Sequence, residues 1–170
     1  HAGRDFAGYL QREEKLFAEW RATVATWDSK DEAWRSSRFN PASMVSRLAD
    51  SAPYNRSFRL TLPRPKGQAL LIHGLTDSPY SMKALAESLH RRGFEVTVLR
   101  LPGHGTLPSM MTEMSTRDWT AAVRIAARDV AARAAAGQPF YIGGYSTGGT
   151  LSLQYTLDAL EDSSLRRPDR

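Results

Sequence analysis

The sequence predicts an α/β fold, a mostly parallel sheet with helices on both faces. Three observations carry that reading. Residues 69–73, 94–101 and 140–145 are short apolar runs of the length and content of strands buried on both faces. Stretches of helical periodicity separate them, and strands alternating with helices call for parallel pairing through crossovers. Gly, Pro, Asp and Ser stand at the junctions, where turns and helix ends need them.

Residues 1–50 read as a separate helical extension, and residues 51–170 as the N-terminal half of a core domain. The extension holds Trp20, Trp27 and Trp34 and no glycine after Gly8. Tyr9, Leu16, Trp20, Val24 and Trp27 recur at helical steps, a stripe expected to pack on the main domain, with Asp28-Ser29-Lys30 ending the helix. From Ser57 the pattern changes. Phe58, Leu60 and Leu62 alternate as an early strand, and residues 63–67 turn the chain. After the 69–73 strand, Asp77 or Ser78 is placed to cap a helix with Pro79 in its first turn. Met82, Leu85, Ala86 and Leu89 form its inward stripe and Gly93 closes it. The 94–101 strand leads into a Gly- and Pro-containing loop at 102–108. Ser115 and Asp118 have capping-box spacing at the head of an Ala-rich helix running to Gly137. A third strand at 140–145 and a helix from Thr147 to about Leu160 follow.

Composition narrows the function classes. The 170 residues lack cysteine, which excludes disulfides, thiolate catalysis and Cys-based metal sites and leaves the compartment open. Lys and Arg exceed Asp and Glu by 23 to 18, but the arginines are dispersed, not clustered with aromatics, so no nucleic-acid partner is expected. No apolar run reaches the roughly 18 residues of a membrane span, and membrane association stays open, because the chain starts at His1 without an initiator Met.

The chemistry concentrates at Gly144-Tyr145-Ser146-Thr147-Gly148. A serine hydroxyl attacks well only when it is exposed, held in place and deprotonated by a neighbouring base. A sharp strand-to-helix turn supplies the exposure, and glycines two before and two after let strand and helix approach. An apolar run before the pattern and a helical sequence after it give that context, so Ser146 is the candidate nucleophile. The plainer alternative is a glycine-rich turn with an idle serine. A second signal, His73-Gly74-Leu75-Thr76-Asp77, ends the first buried strand. Acyl transfer builds charge on the carbonyl oxygen, and backbone N–H groups fixed beforehand stabilise it. Thr147, after the nucleophile, and Leu75 are the candidate oxyanion donors. A third segment, Arg100-Leu101-Pro102-Gly103-His104-Gly105, is by itself only a tight turn. His73 and His104 read as bracing groups, since the base in this arrangement follows the nucleophile in the chain, and His90 reads as a solvated cation near a helix end.

Taken together and in order, these three segments resemble the α/β-hydrolases, with the bacterial carboxylesterase and monoacylglycerol-lipase branch the nearest. The resemblance covers about residues 57–160. It implies an eight-stranded, mostly parallel sheet, a helical cap, and hydrolysis of carboxylic esters with no cofactor and no metal. Its order of catalytic groups is Ser, then Asp or Glu, then His. After Ser146 the sequence offers Asp158, Glu161, Asp162 and Asp169 but no histidine, and the first three fall on the helix that leads away. The fold is therefore expected to be incomplete in this chain, with the acid, the base and the cap supplied by the remaining C-terminal half, as a separate segment or chain. The expected substrate is a short- or medium-chain acyl ester or a monoacylglycerol. Amide, thioester or carbon–carbon cleavage on the same nucleophile, or a hydrolase-like binding protein without activity, are the alternatives.

Overall fold

The structure is a computed structural model that describes residues 5–24, 26, 32–37, 40, 42–44 and 52–162. Four strands form one sheet: β1 (Phe58–Leu60), β2 (Gly67–Ile72), β3 (Phe94–Leu99) and β4 (Phe140–Gly144), in the order β1-β3-β2-β4. β1 pairs antiparallel with β3, whereas β2 pairs parallel with both β3 and β4, Leu70 lying opposite Thr97 on one side and Ile142 on the other.

Side chains alternate across a strand, so β2 feeds two cores at once. Ala69 and Leu71 join Val96, Val98, Met82 and Ala86 on one face. Leu70 and Ile72 join Leu99, Leu101, Ala126, Val130, Leu151 and Tyr155 on the other. The first face is covered by α3 (Lys83–Arg91), entered through a 3-10 turn at Pro79–Met82. The second is covered by α4 (Thr116–Arg133) and α5 (Thr147–Glu161), with α1 (Phe6–Val24) packed against them; a short α2 spans Glu32–Ser36. Fold class and parallel pairing are thus as the sequence predicts. Among the described residues, no helix is long and apolar enough to cross a membrane.

Several local expectations shift. The buried face of α1 is Phe6, Glu13 and Phe17, with Tyr9, Leu16, Trp20 and Val24 half-buried beside it; Trp27 and residues 28–30 lie outside the described residues. A purely apolar stripe misses this face because one of its members is a carboxylate. Leu85, predicted inward, is exposed, and the sheet is met by Met82 from the 3-10 turn and by Ala86 and Leu89 from α3. Ser78 sits at a helix start yet makes no capping bond; its Oγ donates to Asn55 Oδ1 at 3.0 Å. α4 ends at Arg133 and not at Gly137, whose positive φ of 76° serves the turn into β4. Its N-terminal capping box forms as the Ser115 and Asp118 spacing suggests.

The chain steps from β2 to β3 on one side, then crosses to β4 on the other. Loops leaving β2 and β4 part to opposite faces, which opens a crevice beyond the C-terminal ends of these two strands. Residues 73–77 and 145–147 are those loops.

Candidate active site

Two bends meet at this crevice. Ser146 lies between β4 and α5 with φ 51° and ψ −119°, far from the regions open to ordinary residues, and it is exposed. Among the described residues, only Thr76 (φ 62°) is a second non-glycine with positive φ. Both strained residues therefore flank the same crevice, one on each loop, and such strain costs of order 1–3 kcal/mol per residue, so the surroundings must enforce it.

The enforcement is visible in the glycines. A Cβ on Gly148 would lie 2.1 Å from Ile72 O and 2.6 Å from His73 O. One on Gly144 would lie 2.5 Å from Ile72 O and from Gly148 C. The start of α5 is thus pressed onto the end of β2, and Tyr145 N donates to Ile72 O at 3.1 Å to close the seam. Gly74 completes the approach, since a Cβ there would stand 3.5 Å from Ser146 Cβ. Leu75 is exposed at the rim, and Thr147 opens α5, whose N-terminal N–H groups and dipole favour negative charge. The structure brings the 73–77 loop against Ser146 and sets Thr147 next to it in the chain. Ser146 Oγ makes no capping bond to its own helix.

Each described histidine makes a hydrogen bond to a backbone carbonyl. His73 is fully buried, accepts from Leu101 N at Nε2 (3.1 Å), and donates from Nδ1 to Gly74 O (2.8 Å). Burial, above all, drives its pKa down to about 3, so the ring is neutral and its tautomer fixed. His104 donates from Nδ1 to Pro102 O at 3.0 Å, and burial lowers its pKa too. Its ring lies between His73 (4.9 Å) and Trp119 (5.6 Å), and Trp119 Nε1 donates to Pro102 O at 3.0 Å. His90 lies on α3, its Nε2 bonded to Thr61 O at 3.0 Å. Asp158, on α5, pairs with Arg124 at 2.8 Å.

Sequence reasoning missed the polar cluster beneath these loops. Glu13 is only 3% exposed and accepts from Ser57 N (2.6 Å), Ser57 Oγ (3.0 Å) and Arg100 Nε (2.9 Å). A glutamate on a charged helix carries no signal of burial, since such residues are mostly solvated.

Comparison with known proteins identifies the fold's relatives. A family model described as the alpha/beta hydrolase family matches residues 69–168, more than half of the chain. A thermostable monoacylglycerol lipase of Bacillus sp. (strain H-257) is 39% identical over 84 residues, covering 49% of this chain and 32% of that protein. A solved structure from work on LipS and LipT, two metagenome-derived lipolytic enzymes, superposes with a TM-score of 0.57 at 33% identity; it covers 64% of this chain and 42% of its own. The chain thus spans about a third of the first relative and about two fifths of the second.

Proposed function

The chain belongs to the alpha/beta hydrolase family, and from that membership we propose that it carries the nucleophile and oxyanion donors of a serine hydrolase cleaving carboxylic esters. Ser146 Oγ attacks the ester carbonyl carbon while a histidine takes its proton. The Leu75 and Thr147 N–H groups donate to the oxyanion that forms, a contribution of about 10²–10³ in rate per donor. Collapse breaks the bond to the alcohol, which leaves with the proton held by the histidine. Water, deprotonated by the same histidine, then attacks the acyl-enzyme, releasing the acid and restoring Ser146.

His73 has no lone pair to spare for this work; His104 is held through its Nδ1–H on the Pro102 carbonyl, and its Nε2, without a partner among the described residues, is buried. On the family's order of nucleophile, acid and base, we assign the base and its carboxylate to the remaining C-terminal half of the hydrolase, as a separate segment or chain. An exposed apolar stripe supports a further layer of chain at this side: Leu153, Leu157 and Leu160 lie at helical spacing on α5, each more than half exposed. The substrate class, short- or medium-chain esters or monoacylglycerols, is supported by the lipolytic relatives.

The observation that carries the reading is the exposed, positive-φ serine held against the 73–77 loop by glycine contacts. In the complete polypeptide, Ser146→Ala should lower p-nitrophenyl butyrate turnover by about 10⁴-fold or more. A fluorophosphonate probe should attach covalently to Ser146. Unchanged hydrolysis in the variant rejects the serine as nucleophile, and absence of label favours a binding protein without activity.

A further inference from the structure

We propose that Glu13, on the N-terminal helix, is a positioning residue for the oxyanion donor at Leu75; the inference rests on the ester-hydrolase reading above. Glu13 lies outside the segment that matches the family, yet a continuous run of buried hydrogen bonds connects it to the crevice.

The run begins with Arg100, directly after β3. Residues that precede β1 hold Arg100 at three polar points. Its guanidinium Nε donates to Glu13 Oε2 at 2.9 Å, its backbone N–H donates to Ser57 Oγ at 2.8 Å, and its carbonyl accepts from Tyr9 Oη at 2.5 Å. Glu13 also fixes Ser57 through the latter's N–H and hydroxyl. Both members of the pair are at most 5% exposed, so the guanidinium has no water to fall back on.

Arg100 in turn sets two things. Its Nη1 donates to His104 O at 2.8 Å, which shapes the 102–106 loop. Its own placement fixes the next residue, Leu101, whose N–H donates to His73 Nε2. His73 then uses Nδ1–H to hold Gly74 O at 2.8 Å, with Asp77 N on the same oxygen at 3.3 Å. Gly74 C=O and Leu75 N–H belong to one planar trans peptide, so fixing the carbonyl direction fixes the N–H direction, opposite to it. The aim of the proposed oxyanion donor is thereby tied, through Gly74, His73, Leu101 and Arg100, to a carboxylate on α1. Oxyanion stabilisation depends on donors fixed before charge develops, so a peptide free to rock would lose it without losing substrate binding.

The test uses the complete enzyme, with wild type first titrated by fluorophosphonate; a wild type that is not labelled at Ser146 overturns the ester-hydrolase reading itself. Glu13→Gln keeps the size and removes the charge; Tyr9→Phe keeps the ring and removes the bond to Arg100 O. Both are assayed below their unfolding transitions with p-nitrophenyl butyrate and with an alkyl boronic acid, whose tetrahedral adduct needs the same donors. We expect kcat to fall about tenfold or more in Glu13→Gln, bounded by the 10²–10³ of a whole donor. KM should stay near the wild-type value, and boronate affinity should fall in step with kcat. Tyr9→Phe should show a smaller loss with the same split, and decides the matter if Glu13→Gln does not fold. Wild-type kcat and boronate affinity in the folded variants overturn the inference. So does a loss that merely follows the folded fraction.

Discussion

The seam between β2 and α5 can be tested with a single methyl group. In Gly148→Ala the new Cβ would stand 2.1 Å from Ile72 O, whereas real Cβ contacts essentially never fall below 3.0 Å. Relief requires the two segments to separate by nearly 1 Å, and both sides of the contact are backbone, so no side chain can swing away. Overpacking of this kind costs typically 1–3 kcal/mol. A displacement of about 1 Å at a reacting centre costs about 10²-fold in rate. Gly149→Ala is the control one residue on. Its Cβ would meet Gly144 O at 3.3 Å, a contact that yields by a few tenths of an ångström. Alanine is also the better helix former there, by about 0.8–1.0 kcal/mol. Urea unfolding and p-nitrophenyl butyrate turnover of the two variants, side by side, give the comparison. Gly148→Ala should lose stability and about two orders of magnitude in kcat, while Gly149→Ala stays close to wild type. Equal behaviour of the two would refute the claim that close backbone approach builds the bend.

Two further outcomes follow from the buried groups. His73 has a folded pKa of about 3 against about 6.5 when unfolded, so the unfolded chain binds the proton first as pH falls. Stability is then complete above about pH 6.5 and declines below it by about 1.4 kcal/mol per pH unit, or about 2 kcal/mol by pH 5; His104 acts in the same sense. A urea midpoint that does not move between pH 6.5 and 5 would contradict this. Ser78→Ala removes the hydroxyl that donates to buried Asn55 Oδ1, leaving that oxygen unsatisfied. The expected cost is about 1–3 kcal/mol, read as a lower denaturation midpoint, and an unshifted midpoint would show that the bond carries nothing.

The parts of the fold that repeat were legible in the sequence. Residues 69–72 are apolar throughout because β2 is covered on both faces, and the Ser115 and Asp118 spacing serves a capping box that forms. The G-x-S-x-G pattern was legible for a steric reason, since Gly144 and Gly148 are the positions with no room for a Cβ. What escaped was polar and long-range. Glu13 and Arg100 are 87 residues apart, and nothing in either neighbourhood signals that the two charges are buried together. Leu85 failed for a related reason: helical periodicity marks two adjacent rows, and only tertiary contact chooses the row of Met82 and Ala86. Thr76 gives no sequence warning of its positive φ, because a β-branched residue there is an outlier that surrounding structure alone imposes.

The bend at Ser146 leans inward, on the carbonyls of Ile72 and His73. β2 precedes β4 in the chain, so synthesis supplies the residues of the seat before it supplies the serine. The reactive geometry thus rests on contacts internal to residues 72–148, and a segment packing along the exposed Leu157 would meet a bend whose seat lies elsewhere.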